Sequence, residues 1–446
     1  MIKPCPIAQF AKSDPNAPAI ITSSIIITYK DLNQQITQIS NYLNTLPKYQ
    51  PIQWKSGSST EEIALLWACF RSNRIAFPIN PKFPPSYIDS LKHQTNSLIV
   101  TPQDILTGST TSTETSAQLN LGQTATYLLT SGTSGHPKVA FHTLKNYIIN
   151  ASGTLYNIPL IPSDRWLLNL PLYHVGGLGI LMRCFLSRAA VVLPNPTMSI
   201  STLIDHAKIS HISAIPTQLK ILLDEERNHH PTLHAVLIGG AKCPQDLIQK
   251  AIDFQLPIHT TYGLTEMTSQ VTTSEPQASI EELTTSGSLL CDRELKISST
   301  NEIWVKGPCL FQGYLTSHPH PYEKTTYLAL TEDGWFQTND TGHIDSKGRL
   351  VITGRLDRLI ISGGENIHPE EIESTLLAMD EIQSAIVKAT FDPKWGQRPI
   401  AYISTKTPLS EALKKKIISH LNERLPKYKH PDQILPSEMI NKTWKQ

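Results

Sequence analysis

Residues 127–142, YLLTSGTSGHPKVAFH, limit what this chain can fold into more than any other stretch. Apolar Tyr127, Leu128 and Leu129 read as the end of a strand, and the residues after Lys138 are apolar again. Between them, Thr130, Ser131, Gly132, Thr133, Ser134 and Gly135 put four hydroxyls and two glycines into six positions. The two glycines let backbone N–H groups approach a polyphosphate closely, and the hydroxyls add donors. Lys138 supplies a compact positive charge beside them. A Ser/Thr/Gly surface turn is the commoner meaning of such a composition, but the Pro-Lys pair that follows favours a phosphate loop. No Gly-Lys-Ser/Thr closes the run, so it is not a Walker A loop.

At 446 residues the chain exceeds one ordinary core, and two or more domains are expected. Lys and Arg number 39 against 38 Asp and Glu, so no net field recruits nucleic acid or an anionic membrane. Cysteines 5, 69, 184, 243, 291 and 309 are too dispersed for a CxxC metal site or a disulfide framework. A reducing cytoplasm fits that usage. No apolar run approaches the ~18 residues of a membrane span, and the N-terminal residues do not read as a signal peptide. Residues 107–117, TGSTTSTETSA, form a polar low-complexity stretch that reads as a solvated loop.

Along the chain, β-rich and helix-spaced segments alternate. Residues 19–28 read as strand, 29–43 as helix and 61–70 as a buried helix. Residues 166–179, WLLNLPLYHVGGLG, run from a strand into a Tyr-His pair and then glycines, the kind of junction where α/β sheets place ligands. Residues 235–241, AVLIGGA, read as a strand ending in Gly239, Gly240 and Ala241. Residues 261–267, TYGLTEM, follow a short strand over 257–260, and 293–298 with 302–306 read as a β-hairpin. Residues 334–342, GWFQTNDTG, and 354–358, GRLDR, come next. From Leu359 the chain reads as a smaller α+β unit with Gly363 and Gly364 early and a helix over 410–424. The acids after Pro369 suit the positive end of a helix and need no catalytic explanation.

Taken in order, these blocks resemble the adenylate-forming superfamily of acyl-CoA synthetases, luciferases and peptide-synthetase adenylation domains. PKVAFHT, LPLYHVGG and IPTQL are most similar to its o-succinylbenzoate–CoA ligase branch of menaquinone synthesis. The resemblance implies an α/β fold: a large N-terminal domain of parallel α/β sheets plus a β subdomain (1–356), and a small mobile α+β C-terminal lid (357–446) hinged near Asp357. It implies ATP as substrate, Mg2+ as cofactor and CoA as co-substrate, with an aromatic carboxylic acid as the acyl partner. Thr130, Ser131, Gly132, Thr133, Ser134, Gly135 and Lys138 would hold the phosphates. Gly239, Gly240, Ala241, Tyr262 and Gly263 would frame adenine, Thr265 would bond the α-phosphate, and Glu266 would hold magnesium. Asp340 would take the ribose hydroxyls and Arg355 would contact the nucleotide. His174, Gly177 and Arg183 would line the acyl pocket, with Arg183 facing the carboxylate that is not activated. Gly363 and Gly364 would line the path of the CoA thiol. The terminal catalytic lysine is either Lys442, by spacing from Pro436, or Lys445, allowing for a longer insert in this branch. Val139, Asn339 and Asn441 stand where relatives carry glycine, and the closing helix of relatives has no counterpart.

The implied chemistry is two-step: adenylation of a carboxylate with loss of pyrophosphate, then capture by a thiol with loss of AMP. Three other readings share much of the pattern. They are a different aryl- or acyl-CoA ligase, a stand-alone amino-acid adenylation domain, and a non-enzymatic nucleotide-binding relative.

Overall fold

A computed structural model describes residues 2–101, 104, 117–130, 138–225, 230–315, 326–327 and 330–439. Ser131, Gly132, Thr133, Ser134, Gly135, Lys442 and Lys445 therefore lie outside the described residues, as does nearly all of the polar stretch 107–117.

The strands that read as continuous apolar runs occupy the middle of two large sheets. Ala76–Ile79, His211–Ala214 and Ala235–Ile238 are buried at every position, as parallel strands covered on both faces must be. A nine-stranded sheet is parallel from Pro18–Ile21 through Ala190–Val192, Arg165–Leu167, His211–Ala214 and Ala235–Ile238 to Ile258–Leu264. Antiparallel strands close both of its edges. A seven-stranded sheet has a parallel half built on Leu98–Ile99, Ile52–Lys55, Ala76–Ile79 and Thr124–Leu129. Its other half, Val139–Thr143, Gly313–Leu315 and Thr326–Tyr327, is antiparallel.

One apolar core draws on both sheets and on the helices Tyr29–Thr45, Thr60–Arg71, Leu144–Asn157 and Val175–Ser187. Local sequence sets where three of these helices start. Thr28 with Asp31, Ser59 with Glu62, and Thr143 with Asn146 form reciprocal capping boxes.

Two readings are refined. The single β-rich segment over 19–28 is a hairpin, Pro18–Ile21 against Ile26–Thr28. The strand expected to stop at Thr260 continues to Leu264, because Thr261 to Leu264 pair antiparallel with Ser269–Thr273 across a bulge at Tyr262/Gly263. Gly263 is required there: a Cβ would lie 2.3 Å from the Ser269 carbonyl oxygen.

The β-hairpin Glu294–Ile297 and Glu302–Lys306 belongs to a four-stranded sheet with Phe336–Ile344 and Leu350–Arg355. Beyond Leu356–Arg358 a separate apolar core runs from Ile360 to Ile434, under the helices Pro369–Leu377 and Glu411–Arg424. This unit touches the first through Lys220 Nζ, which donates to the Met379 carbonyl at 3.2 Å and lies 3.5 Å from Asp380. Glu370, Glu371 and Glu373 pair with Arg358 and Lys429, a structural use that accounts for these acids.

Candidate active site

Thr130 and Lys138 are the two ends of the Ser/Thr/Gly loop, and the Thr130 N–H donates to the Lys138 carbonyl at 2.9 Å. The loop therefore joins two antiparallel neighbours, with Leu129 opposite Val139. Along Val139–Thr143 side chains alternate faces, so Lys138, Ala140 and His142 share one. Tyr314, directly opposite Ala140, projects from the same face. The Lys138 ammonium sits 5.0 Å from the Tyr314 ring centroid.

That face meets the turn Thr265–Met267. His142 Nε2 lies 2.7 Å from the Thr265 carbonyl oxygen, and the Phe311 N–H donates to the Glu266 carbonyl at 2.7 Å. The Tyr314 hydroxyl donates to Glu266 Oε1 in a short hydrogen bond. Burial holds His142 neutral, with its pKa pushed down to about 4. Burial also raises the Glu266 pKa, against the hydrogen bond from Tyr314.

The second arm comes from the four-stranded sheet. Asp340 and Arg355 are cross-strand partners, and Arg355 Nη1 donates to Asp340 Oδ1 at 3.0 Å. The Tyr262 hydroxyl donates to Asp340 Oδ2 at 2.6 Å. Each carboxylate oxygen keeps a second lone pair for a ligand hydroxyl. Arg355 also grips Asp357, Nε to Oδ1 at 3.0 Å and Nη2 to Oδ2 at 3.1 Å, which raises its pKa further. Asn339 adopts φ +60°. Asn is among the few side chains enriched in that left-handed region, so it suits the position.

Gly239, Gly240 and Ala241 follow strand Ala235–Ile238 as a partly exposed ledge, with Gly240 at φ +78°. A Cβ on Gly239 would stand 2.8 Å from the Thr261 methyl. His174 is the exposed N-cap residue of helix Val175–Ser187, its ring 4.6 Å from that of Tyr173. Gly177, in the first turn, is packed against the Pro171 backbone, where a Cβ would come within 2.3 Å of the carbonyl oxygen.

Arg183, further along that helix, is fully buried. It lies 4.4 Å from the Trp166 ring centroid, donates to Gln270 Oε1 at 2.9 Å, and leaves Nε without a hydrogen-bond partner among the described residues. Burial lowers its pKa to about 10. No carboxylate pairs with it among the described residues. Gly363 and Gly364 form the two-residue turn between Ile360–Ser362 and Glu365–Ile367, at φ +59° and +90°. Gly363 lies against Trp395.

The structure thus brings Lys138, Tyr262, Thr265, Glu266, Asp340 and Arg355 into one linked cluster, while Gly363 and Gly364 sit within the C-terminal unit. Sequence reasoning missed the Tyr314 contact, the Arg355–Asp357 pair and Gln270. Tyr314 lies in the run 311–315, FQGYL, and nothing in its spacing says which carboxylate its hydroxyl meets.

Among the described residues no group of three or more His, Cys, Asp or Glu could cage a metal ion. Glu266 offers one hard carboxylate, held at Oε1 by the Tyr314 hydroxyl. A single carboxylate completed by substrate phosphates suits Mg2+, which dehydrates reluctantly and seldom takes an all-protein cage. The residues present fit that ion.

The Ser/Thr/Gly loop ends, the Glu266 carboxylate and the Asp340–Arg355 pair thus lie in the α/β unit, with a separate C-terminal unit beyond Leu356–Arg358. The chain belongs to the AMP-binding enzyme family, which matches residues 90–315, with the family's C-terminal domain at 371–445. It is 30% identical to a 2-succinylbenzoate–CoA ligase of Staphylococcus epidermidis, over 97% of this chain and 94% of that one. It also superposes on the o-succinylbenzoate CoA synthetase of Bacillus subtilis in complex with the acyl-adenylate intermediate OSB-AMP. The TM-score is 0.87 at 28% identity, covering 98% of this chain and 95% of that one. The same synthetase with ATP and magnesium ion gives a TM-score of 0.88 at 27% identity, covering 98% and 96%.

Proposed function

We propose that this chain joins o-succinylbenzoate to CoA at the expense of ATP, as an AMP-forming acid–thiol ligase of menaquinone synthesis. The observation that carries the reading is the linked cluster of Lys138, Glu266, Asp340 and Arg355 in a chain matched end to end by ligases of this substrate.

A carboxylate is a poor electrophile at neutral pH. In the first step a substrate carboxylate oxygen attacks the α-phosphorus of ATP, forming a C–O–P linkage, and pyrophosphate leaves. In our reading Asp340 accepts from the ribose hydroxyls, Arg355 holds Asp340 in place, and Thr265 donates to the α-phosphate. Gly239 to Ala241 leave room for the adenine beside Thr261. The loop from Thr130 to Lys138 surrounds the leaving phosphates, and Lys442 or Lys445 offsets charge between the two anions. Two unit charges at ~4 Å interact by about 4 kcal/mol at an effective dielectric near 20. Bound Mg2+, held by Glu266, would supply further charge neutralisation on the phosphates. In the second step the CoA sulfur attacks the acyl carbonyl, a C–S bond forms, and AMP leaves with the oxygen it gained.

We place the hinge at Asp357 and assign residues 1–356 and 357–446 to the two domains. Rotation of the second would bring Gly363 and Gly364 to the thiol path. Arg183 is assigned to the second, unactivated carboxylate of the substrate, with His174 and Gly177 shaping the pocket mouth. A fully buried guanidinium without a carboxylate is costly, and a dicarboxylic substrate supplies the missing partner. The free cysteines fit a cytoplasmic location, and no described helix is long and apolar enough to cross a membrane.

The test is a panel of acids with ATP and CoA, scored by thioester formation. The proposal expects o-succinylbenzoate to exceed benzoate and a fatty acid by orders of magnitude in kcat/KM. Equal or better turnover of a monocarboxylic acid would remove the substrate assignment.

A further inference from the structure

We infer that Tyr314 is a positioning residue for the adenylation step, setting Glu266 and Lys138 at once. The inference rests on the reading of Glu266 as the carboxylate that meets the nucleotide-bound metal. Tyr314 lies on strand Gly313–Leu315, opposite Ala140. A small residue opposite leaves the phenol room to reach past the pair toward the Thr265–Met267 turn. Its hydroxyl donates to Glu266 Oε1, while its ring lies 5.0 Å from the Lys138 ammonium. One side chain therefore touches the metal-side carboxylate with its edge and the phosphate-side lysine with its face.

The backbone of the same turn is pinned independently. His142 holds the Thr265 carbonyl and the Phe311 N–H holds the Glu266 carbonyl. With the main chain fixed, the remaining freedom of Glu266 is its side-chain torsions, and Tyr314 is the group that restrains them. It binds Oε1 and so fixes the orientation of the carboxylate. The Tyr314 ring is itself braced edge-on by Phe311, centroids 4.8 Å apart. Removing the hydroxyl therefore leaves the ring in place.

This arrangement separates two contributions to ATP binding. The hydroxyl acts on the metal-dependent part through Glu266, and the ring acts on the metal-independent part through Lys138. The test is ATP affinity by calorimetry on the whole chain, with and without Mg2+, for wild type, Tyr314→Phe, Glu266→Gln, the double variant and Tyr314→Leu. Folding of each is checked by thermal denaturation. Tyr314→Phe should lose about tenfold of the Mg2+-dependent gain in affinity, as expected for a hydrogen bond to a charged group, with its metal-free affinity unchanged. The double variant should be no weaker than Glu266→Gln, since the phenol acts through that carboxylate. Tyr314→Leu should also lower the metal-free affinity.

A folded Tyr314→Phe with the full Mg2+ gain, or a double variant whose losses add, would overturn the inference and leave Tyr314 as packing. A Glu266→Gln variant that keeps the Mg2+ gain would instead remove the underlying reading of Glu266, a distinguishable failure.

Discussion

Asp340 accepts from two sides in the free protein, Tyr262 at 2.6 Å and Arg355 at 3.0 Å, and still keeps lone pairs for a sugar. Asp340→Asn keeps its size but replaces one acceptor oxygen with a donor. The KM for ATP should rise about 10- to 100-fold, the range of a hydrogen bond to a charged group, with little change in Tm. Arg183 calls for a different substitution, because deletion would leave a cavity as well as remove charge. Arg183→Met fills much of the volume, and replacing a buried ion with a hydrophobe is often neutral or stabilising. The KM for o-succinylbenzoate should rise strongly while Tm holds; an unchanged KM would end the assignment. His142 sets a pH dependence. Its folded pKa of about 4 lies below the ordinary histidine value near 6.5. The unfolded chain therefore binds the extra proton first as pH falls. Stability from this group is complete above pH ~6.5 and is lost progressively toward pH ~4. Denaturation midpoints should fall across that window, less steeply in His142→Gln. The residue types proposed for the site could be named from the sequence because phosphate, ribose and metal each demand a distinct donor set. Their mutual contacts could not, since Tyr314, Gln270 and Asp357 act through side-chain reach that no spacing encodes.

Elements were readable where one physical rule dominated. The buried runs became parallel strands, and the helix starts fell where Thr28, Ser59 and Thr143 cap them. They were less readable where tertiary pairing overrode local signals. The strand read over 257–260 continues through Tyr262 and Gly263, because the antiparallel partner Ser269–Thr273 draws them in. Asn339 looked like a defect beside Asp340 until its φ of +60° explained it. Asn339→Gly should therefore preserve activity. Asn339→Ala should cost about 1–2 kcal/mol, the penalty for placing a Cβ in the left-handed region, and should raise the KM for ATP as Asp340 shifts. Equal behaviour of the two variants would show that the backbone there is not constrained.

At the scale of the whole molecule, the first unit and the C-terminal core meet at a short segment where Arg355 binds Asp340 on one side and Asp357 on the other. The proposed hinge is thus tied to the proposed nucleotide site, and rotation would have to release the Arg355–Asp357 pair. Asp357→Ala and Asp357→Pro both break that pair, but only proline also fixes φ near −65°. Both variants should retain ATP–pyrophosphate exchange, and only the proline variant should lose thioester formation, by 100-fold or more on the order of a blocked domain movement.

The most direct measurement is release of AMP and pyrophosphate from ATP with o-succinylbenzoate, with and without CoA. The account predicts a pyrophosphate burst of about one equivalent without CoA, and sustained release of both AMP and pyrophosphate once CoA is added. Binding of ATP without release of either product would contradict it.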